Sequence, residues 1–230
     1  MLDPIAAIRS ESDAFYAAAD KADPDAPVPS CPEWSVRDLV QHLAQVHYFW
    51  ALLVEKSVTD LSALDGLEHP TPAADYADLV AQGREMADRM IAALTGADPS
   101  TKVWSWAKQD DVAFVVRHQV QEAAIHRWDI ENAVGDPAPI ASDIADDSID
   151  EFLRISLPSR NEWKPGIDVV HLHATDTGRD WLLEPSGNVE ARGGSADVTL
   201  SAPASDLLLA LYRRVPLEGI DSVLGGVDFT

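Results

Sequence analysis

The sequence predicts a mainly α protein, an up-and-down helical bundle followed by a small α+β C-terminal domain. Three observations predict this class. Stretches with helical periodicity fill the first two-thirds of the chain, punctuated by prolines and glycines. After Pro158 the texture changes to short β-rich runs separated by turn signals. Hydrophobic residues make up 46% of the 230 and charged residues 24%, enough apolar surface to build real cores.

Each element has a local reason. Asp3-Pro4 pairs an N-cap with a proline at the first helical position, and a helix follows from Ile5 to about Ala22. Four prolines between Pro24 and Pro32 break it. Ser35-Val36-Arg37-Asp38 reads as a capping box that opens a second helix, from Val36 to about Val54. A polar linker spans Asp65 to Pro72, and a third helix runs from about Ala73 to Leu94. The fourth, Val112 to Val134, is stopped by Gly135 and Pro137. A fifth spans about Ile144 to Leu157. Several long helices with short connections indicate a bundle. Beyond it, Val169 to His173, Trp181 to Leu183, the neighbourhood of Val189, and Val198 to Leu200 read as strands, and Pro203 opens a helix through Leu211. The change of texture puts a domain boundary near Pro158 to Pro165, giving a bundle over residues 1–160 and an accessory domain over 161–230.

Composition excludes several functions. The net charge is −22, from 39 acidic and 17 basic residues, a field that repels phosphate backbones and anionic lipid. Nucleic-acid and membrane partners are not expected, and an acidic small molecule would need a local cluster of arginines. The single cysteine, Cys31, rules out an intrachain disulfide and reads as a small apolar filler. No run is long and apolar enough to span a bilayer, and Met1-Leu2-Asp3-Pro4 lacks the features of a signal peptide, so a cytoplasmic location is expected.

The fourth helix concentrates polar chemistry. At about 100° per residue, Glu122, His126 and Asp129 fall within roughly 80° of His118, on one face bordered by Val115, Ile125 and Ala133. Carboxylates and imidazoles at the edge of a core are costly unless they pair or bind a metal. Glu122 and His126, four apart, can converge on one ion, although such a pair is more often simply solvated or self-paired. His118 reads equally as a boundary histidine, and Asp129 as a partner of Arg117 or Arg127. A third ligand could come from His42 or His47 on the second helix. These are about 140° apart around the axis and cannot both face one ion. His47 lies near the middle of the apolar stripe and His42 toward its edge; periodicity does not choose between them.

The stretch Cys31-Pro32-Glu33-Trp34-Ser35-Val36-Arg37-Asp38-Leu39-Val40-Gln41-His42-Leu43-Ala44 resembles the P-x-W-[ST]-V-x-D-L-x-x-H-L-A signature of the mycothiol-dependent maleylpyruvate isomerase-like branch of the DinB superfamily. Glu122 through Asp129 is similar to its E-x-x-x-H-R-x-D stretch, and Asp150-Glu151-Phe152-Leu153 to its D-E-F-L segment. His171 through Trp181 and Asp206 to Leu209 resemble its accessory domain. The resemblance implies a DinB-like bundle with a metal triad of His42, Glu122 and His126, a divalent cation (zinc foremost), and mycothiol as the thiol cofactor. Asp38 and Asp129 could then support the imidazoles from behind. It further implies a thiolate that adds to and leaves an electron-poor double bond, and Arg214 as a carboxylate clamp; Arg117 and Arg127, on the fourth helix, are the other arginines that could meet the need for local positive charge. The alternatives are a mycothiol S-transferase acting on another electrophile, or a non-catalytic metal- or ligand-binding bundle. This chain departs from the family pattern at Glu33 (often glycine), at Gln121 (often histidine), and in Leu211-Tyr212-Arg213-Arg214, where L-x-G-R has lost its glycine and kept its arginine.

Overall fold

The computed structural model describes residues 2–65, 70–160, 163–164, 166 and 168–225. Part of the expected linker (66–69) and part of the expected boundary stretch (161, 162 and 165) lie outside the described residues. The chain divides into two compact units, Leu2–Ala138 and Pro139–Thr230.

The first unit is built on four long helices, α1 (Pro4–Ala19), α2 (Val36–Glu55), α3 (Tyr76–Gly96) and α4 (Val112–Val134). Local chemistry fixes their ends. Asp3 accepts from the Ala6 amide, Ser35 and Asp38 close a reciprocal capping box, and Asp111 accepts from the Phe114 amide at 3.1 Å. Each such cap is worth about 1 kcal/mol. Gly135, with φ +85°, ends α4 in the left-handed conformation that glycine suits. α1 packs on α4 and α2 on α3. The buried stripe of α2 (Val36, Leu39, Val40, Leu43, His47 and Trp50) follows the helical repeat.

One element of this unit was not anticipated. Pro27–Val28 (β1) and Cys31–Ser35 (β2) form a small antiparallel hairpin inside the proline-rich break. Both strands of a two-stranded ribbon are edge strands, where proline is tolerated. Cys31 is buried there, in a core cluster with Val28, Val36 and Leu39.

The second unit contains α5 (Ser142–Glu151), strands β3 (Val170–Ala174), β4 (Asp180–Leu183), β5 (Val189–Glu190) and β6 (Val198–Ala202), then α6 (Ala204–Leu211) and the short α7 (Asp221–Leu224). The strand order is β5-β4-β3-β6, with β3 and β6 parallel and the other pairs antiparallel. After α5 the backbone widens into a π-helical turn over Phe152–Ser156, where buried Glu151 accepts the Ser156 hydroxyl at 2.8 Å.

The division at 138/139 falls ahead of the 160/161 boundary expected from sequence. α5 packs on α6, the Ile140 amide donates to Ser205 Oγ, and Thr177 Oγ1 donates to Asp146. The fifth helix thus belongs with the sheet rather than with the four-helix bundle. Among the described residues no helix is long and apolar enough to cross a membrane.

Candidate metal centre

α2 and α4 carry the residues singled out by spacing. The α4 turn that projects Glu122 also projects His126, and both meet His42 from α2. Glu122 Oε1 lies 3.3 Å from His126 Nε2 and 3.6 Å from His42 Nε2. One ligand atom from each of the three residues lies within 4.8 Å of the others. Ligand atoms bound at 2.0–2.1 Å to one ion at tetrahedral or octahedral angles sit about 2.8–3.4 Å apart, so the His126 separation already fits and the His42 separation needs only a few tenths of an ångström of adjustment. The donor set fits a divalent cation of the zinc type.

The surroundings prepare these atoms. Asp129, fully buried, lies 3.0 Å through Oδ2 from His126 Nδ1 and accepts the Ser30 hydroxyl at 2.6 Å through Oδ1. With Nδ1–H directed at Asp129, Nε2 is the nitrogen that faces Glu122, and it would offer its lone pair once an ion displaces the proton held between them. The Trp34 ring lies 4.7 Å from that of His42, and the His42 and His126 rings meet edge-on at 5.0 Å. Burial alone would lower the pKa of His126, but its bonds to Asp129 and Glu122 outweigh it and push it to about 9. Burial would likewise raise the Glu122 carboxyl. The hydrogen bonds from His126 and His42 and the charge of His118 hold it well below the usual carboxylate range.

The remaining candidates separate cleanly. His47 is fully buried and turns to Tyr16, whose hydroxyl lies 3.4 Å from Nδ1; burial drops its pKa to about 3. Gly83 lets the Tyr16 ring in, since a Cβ there would stand 2.6 Å from the ring edge. His118 stacks on Phe114 near Trp50 and Trp106, with Nε2 3.8 Å from the second oxygen of Glu122. Asp38 is occupied by its capping box and does not support an imidazole. Arg127 is held by Glu11, Glu131 and the Ala138 carbonyl, which removes it as a reserve clamp. Sequence reasoning missed Ser30, for which there was no signal, and Trp34, which lay in plain view inside the opening motif of α2.

Residues 5–131 match the family model described as mycothiol maleylpyruvate isomerase N-terminal domain, and residues 143–228 match the MDMPI C-terminal domain. This chain belongs to the mycothiol-dependent maleylpyruvate isomerase family. Two solved structures share its fold. A mycothiol-dependent maleylpyruvate isomerase matches with a TM-score of 0.64, and a histidine-to-alanine mutant of that name with 0.63. In both cases sequence identity is 14%, over 93% of this chain and 89% of the other. No curated protein matches the chain.

The family motif that ends in Arg214 lies in the second unit, beside a cavity of about 650 Å³ lined by Arg213, Arg214, Pro216 and Glu218. Arg214 Nη1 donates to the Tyr212 carbonyl at 2.9 Å. Arg213, at the position where the resemblance to the family leads to an expectation of glycine, adopts φ +57°, the left-handed conformation that glycine takes without strain.

Proposed function

We propose that this chain is a divalent-metal-dependent enzyme that uses mycothiol for maleylpyruvate isomerase-like cis–trans isomerisation by thiolate addition and elimination. The convergence of His42, Glu122 and His126 in a member of this family carries the reading. These three residues would hold the ion, for which zinc suits two imidazoles and one carboxylate. Bound there with a coordination position open, the ion would lower the pKa of a thiol from about 8.5 and keep it as the thiolate. In the proposed reaction the thiolate sulfur adds to the cis double bond of maleylpyruvate, the resulting single bond rotates, and the sulfur leaves to give fumarylpyruvate.

The residues of this chain have distinct tasks in that reading. Asp129 fixes the His126 tautomer so that Nε2 is the donor, and Ser30 holds Asp129 in place. Trp34 restrains the His42 ring, while Phe114, Trp50 and Trp106 hold the His118 ring beside Glu122. Arg214 would grip a substrate carboxylate, a role suited to a guanidinium.

One observation favours a second reading, a mycothiol S-transferase. A cavity of about 350 Å³ between α2 and α3 is lined by Gln41, Gln45, Tyr48, Phe49, Gln82 and Met86 and, among the described residues, by no cationic side chain. It suits a neutral electrophile better than a dicarboxylate. Turnover assays with mycothiol and zinc-loaded protein decide between them. The isomerase reading expects maleylpyruvate to be consumed. It also expects Arg214→Ala to slow that reaction about 100-fold, as loss of a charge-assisted contact of about 3 kcal/mol implies, with conjugation of a neutral electrophile barely changed. A wild type that ignores maleylpyruvate but conjugates a neutral electrophile is a transferase. If neither substrate is consumed, the chain is a metal- or ligand-binding bundle.

A further inference from the structure

A second imidazole–carboxylate cluster lies on the sheet of the Pro139–Thr230 unit. Along β3 the residues alternate, with Val170, Leu172 and Ala174 buried on one face and His171 and His173 on the other. Asp180 on β4 sits directly opposite His173 in the antiparallel ladder and so shares its face. His171 Nε2 and His173 Nδ1 each lie 2.8 Å from the same oxygen, Asp180 Oδ1. The three donor atoms are all within 4.8 Å of one another. A Cβ at Gly193 would stand 3.5 Å from His171 Nε2 and 3.6 Å from Asp180 Cγ, so the missing side chain leaves room beside the donors.

We propose that His171, His173 and Asp180 form a second divalent-cation site of the zinc class, separate from the cluster on α2 and α4. Two imidazoles and one carboxylate are a suitable donor set, and two histidines on alternate residues of one strand chelate from one direction. The 2.8 Å separations lie at the short end of the roughly 2.8–3.4 Å between metal ligands, and small ring rotations adjust them once the ion takes the place of the protons between nitrogen and oxygen. All three side chains are partly exposed, so solvent can fill the remaining coordination positions. The net charge of −22 raises the local cation concentration. Bound here, the ion clips β3 to β4.

Zinc titration of the full chain, followed by calorimetry and by metal analysis after equilibrium dialysis, tests this site independently of the first. Wild type should bind two ions per chain, and Asp180→Asn, which keeps an oxygen acceptor for the histidines, should bind one. His173→Gln should also bind one, with the zinc-free melting temperature of both variants close to wild type. His126→Ala should bind one as well, and His126→Ala combined with Asp180→Asn none. A wild type that binds a single ion, lost in His126→Ala and kept in Asp180→Asn, overturns the sheet site and leaves the bundle site standing. A single ion lost in Asp180→Asn and kept in His126→Ala does the reverse. Two ions in both wild type and the Asp180→Asn and His173→Gln variants overturn the sheet site.

Discussion

The bundle and the sheet each bring two histidines and one carboxylate together, but by opposite means. On α2 and α4, helical spacing and a tertiary contact converge on Glu122, with N–O separations of 3.3 and 3.6 Å. Behind them Asp129 is fully buried and hydrogen-bonded to both Ser30 and His126. On the sheet, a strand alternation and one ladder pair bring His171 and His173 to 2.8 Å from Asp180, with His173 38% exposed. The bundle invests buried polar groups to hold its donors slightly apart; the sheet lets hydrogen bonds draw its donors together at the surface. Buried groups titrate abnormally and couple to stability, whereas surface groups do so weakly.

The largest expected effect tests burial. Burial holds the pKa of His47 at about 3 against the ordinary imidazole value of 6.5, so between these limits the unfolded chain binds a proton that the folded chain does not. Its contribution is therefore complete above pH 6.5 and is lost as pH falls toward 3, at about 1.4 kcal/mol per unit. His47→Gln cannot titrate, and denaturant melts at pH 7, 6, 5 and 4 should show that much less acid destabilisation than wild type. Equal slopes in the two proteins would mean that His47 is not held neutral in the core. A smaller effect tests the outer hydrogen bonds. Asp129→Asn removes the charge behind His126 and should weaken zinc binding at the bundle site by about 10–100-fold, read by competition with a chromophoric chelator. Unchanged affinity would reduce Asp129 to a packing role. The smallest concerns Arg213, whose left-handed backbone should make Arg213→Gly more stable by up to about 1 kcal/mol. A destabilised variant would show that its ion pair with Asp221, at 2.9 Å, outweighs the strain.

Much of this was legible in the sequence, in proportion to how local each feature is. Spacing alone put Glu122, His126 and Asp129 on one face, and capping residues marked the starts of α1 and α2. The choice between His42 and His47 was not local. Both lie along the apolar side of α2, and only the direction of α4 and the intrusion of Tyr16 separate them. α5 carries the same apolar repeat as a bundle helix, and nothing in a repeat says which neighbour it packs against. The sheet cluster needed a register: His171 and His173 were readable as alternate strand residues, but Asp180 joins them only through the ladder that follows the Asp176 to Gly178 turn.

The central claim is that the ion held on α2 and α4 is what engages the thiol. Calorimetric titration of mycothiol into zinc-loaded wild type and zinc-treated His126→Ala tests it most directly. The account predicts saturable binding to wild type, with release of about one proton as the thiol becomes thiolate, and no binding to a His126→Ala protein of unchanged helical content. Equal mycothiol affinity in the two proteins would contradict it.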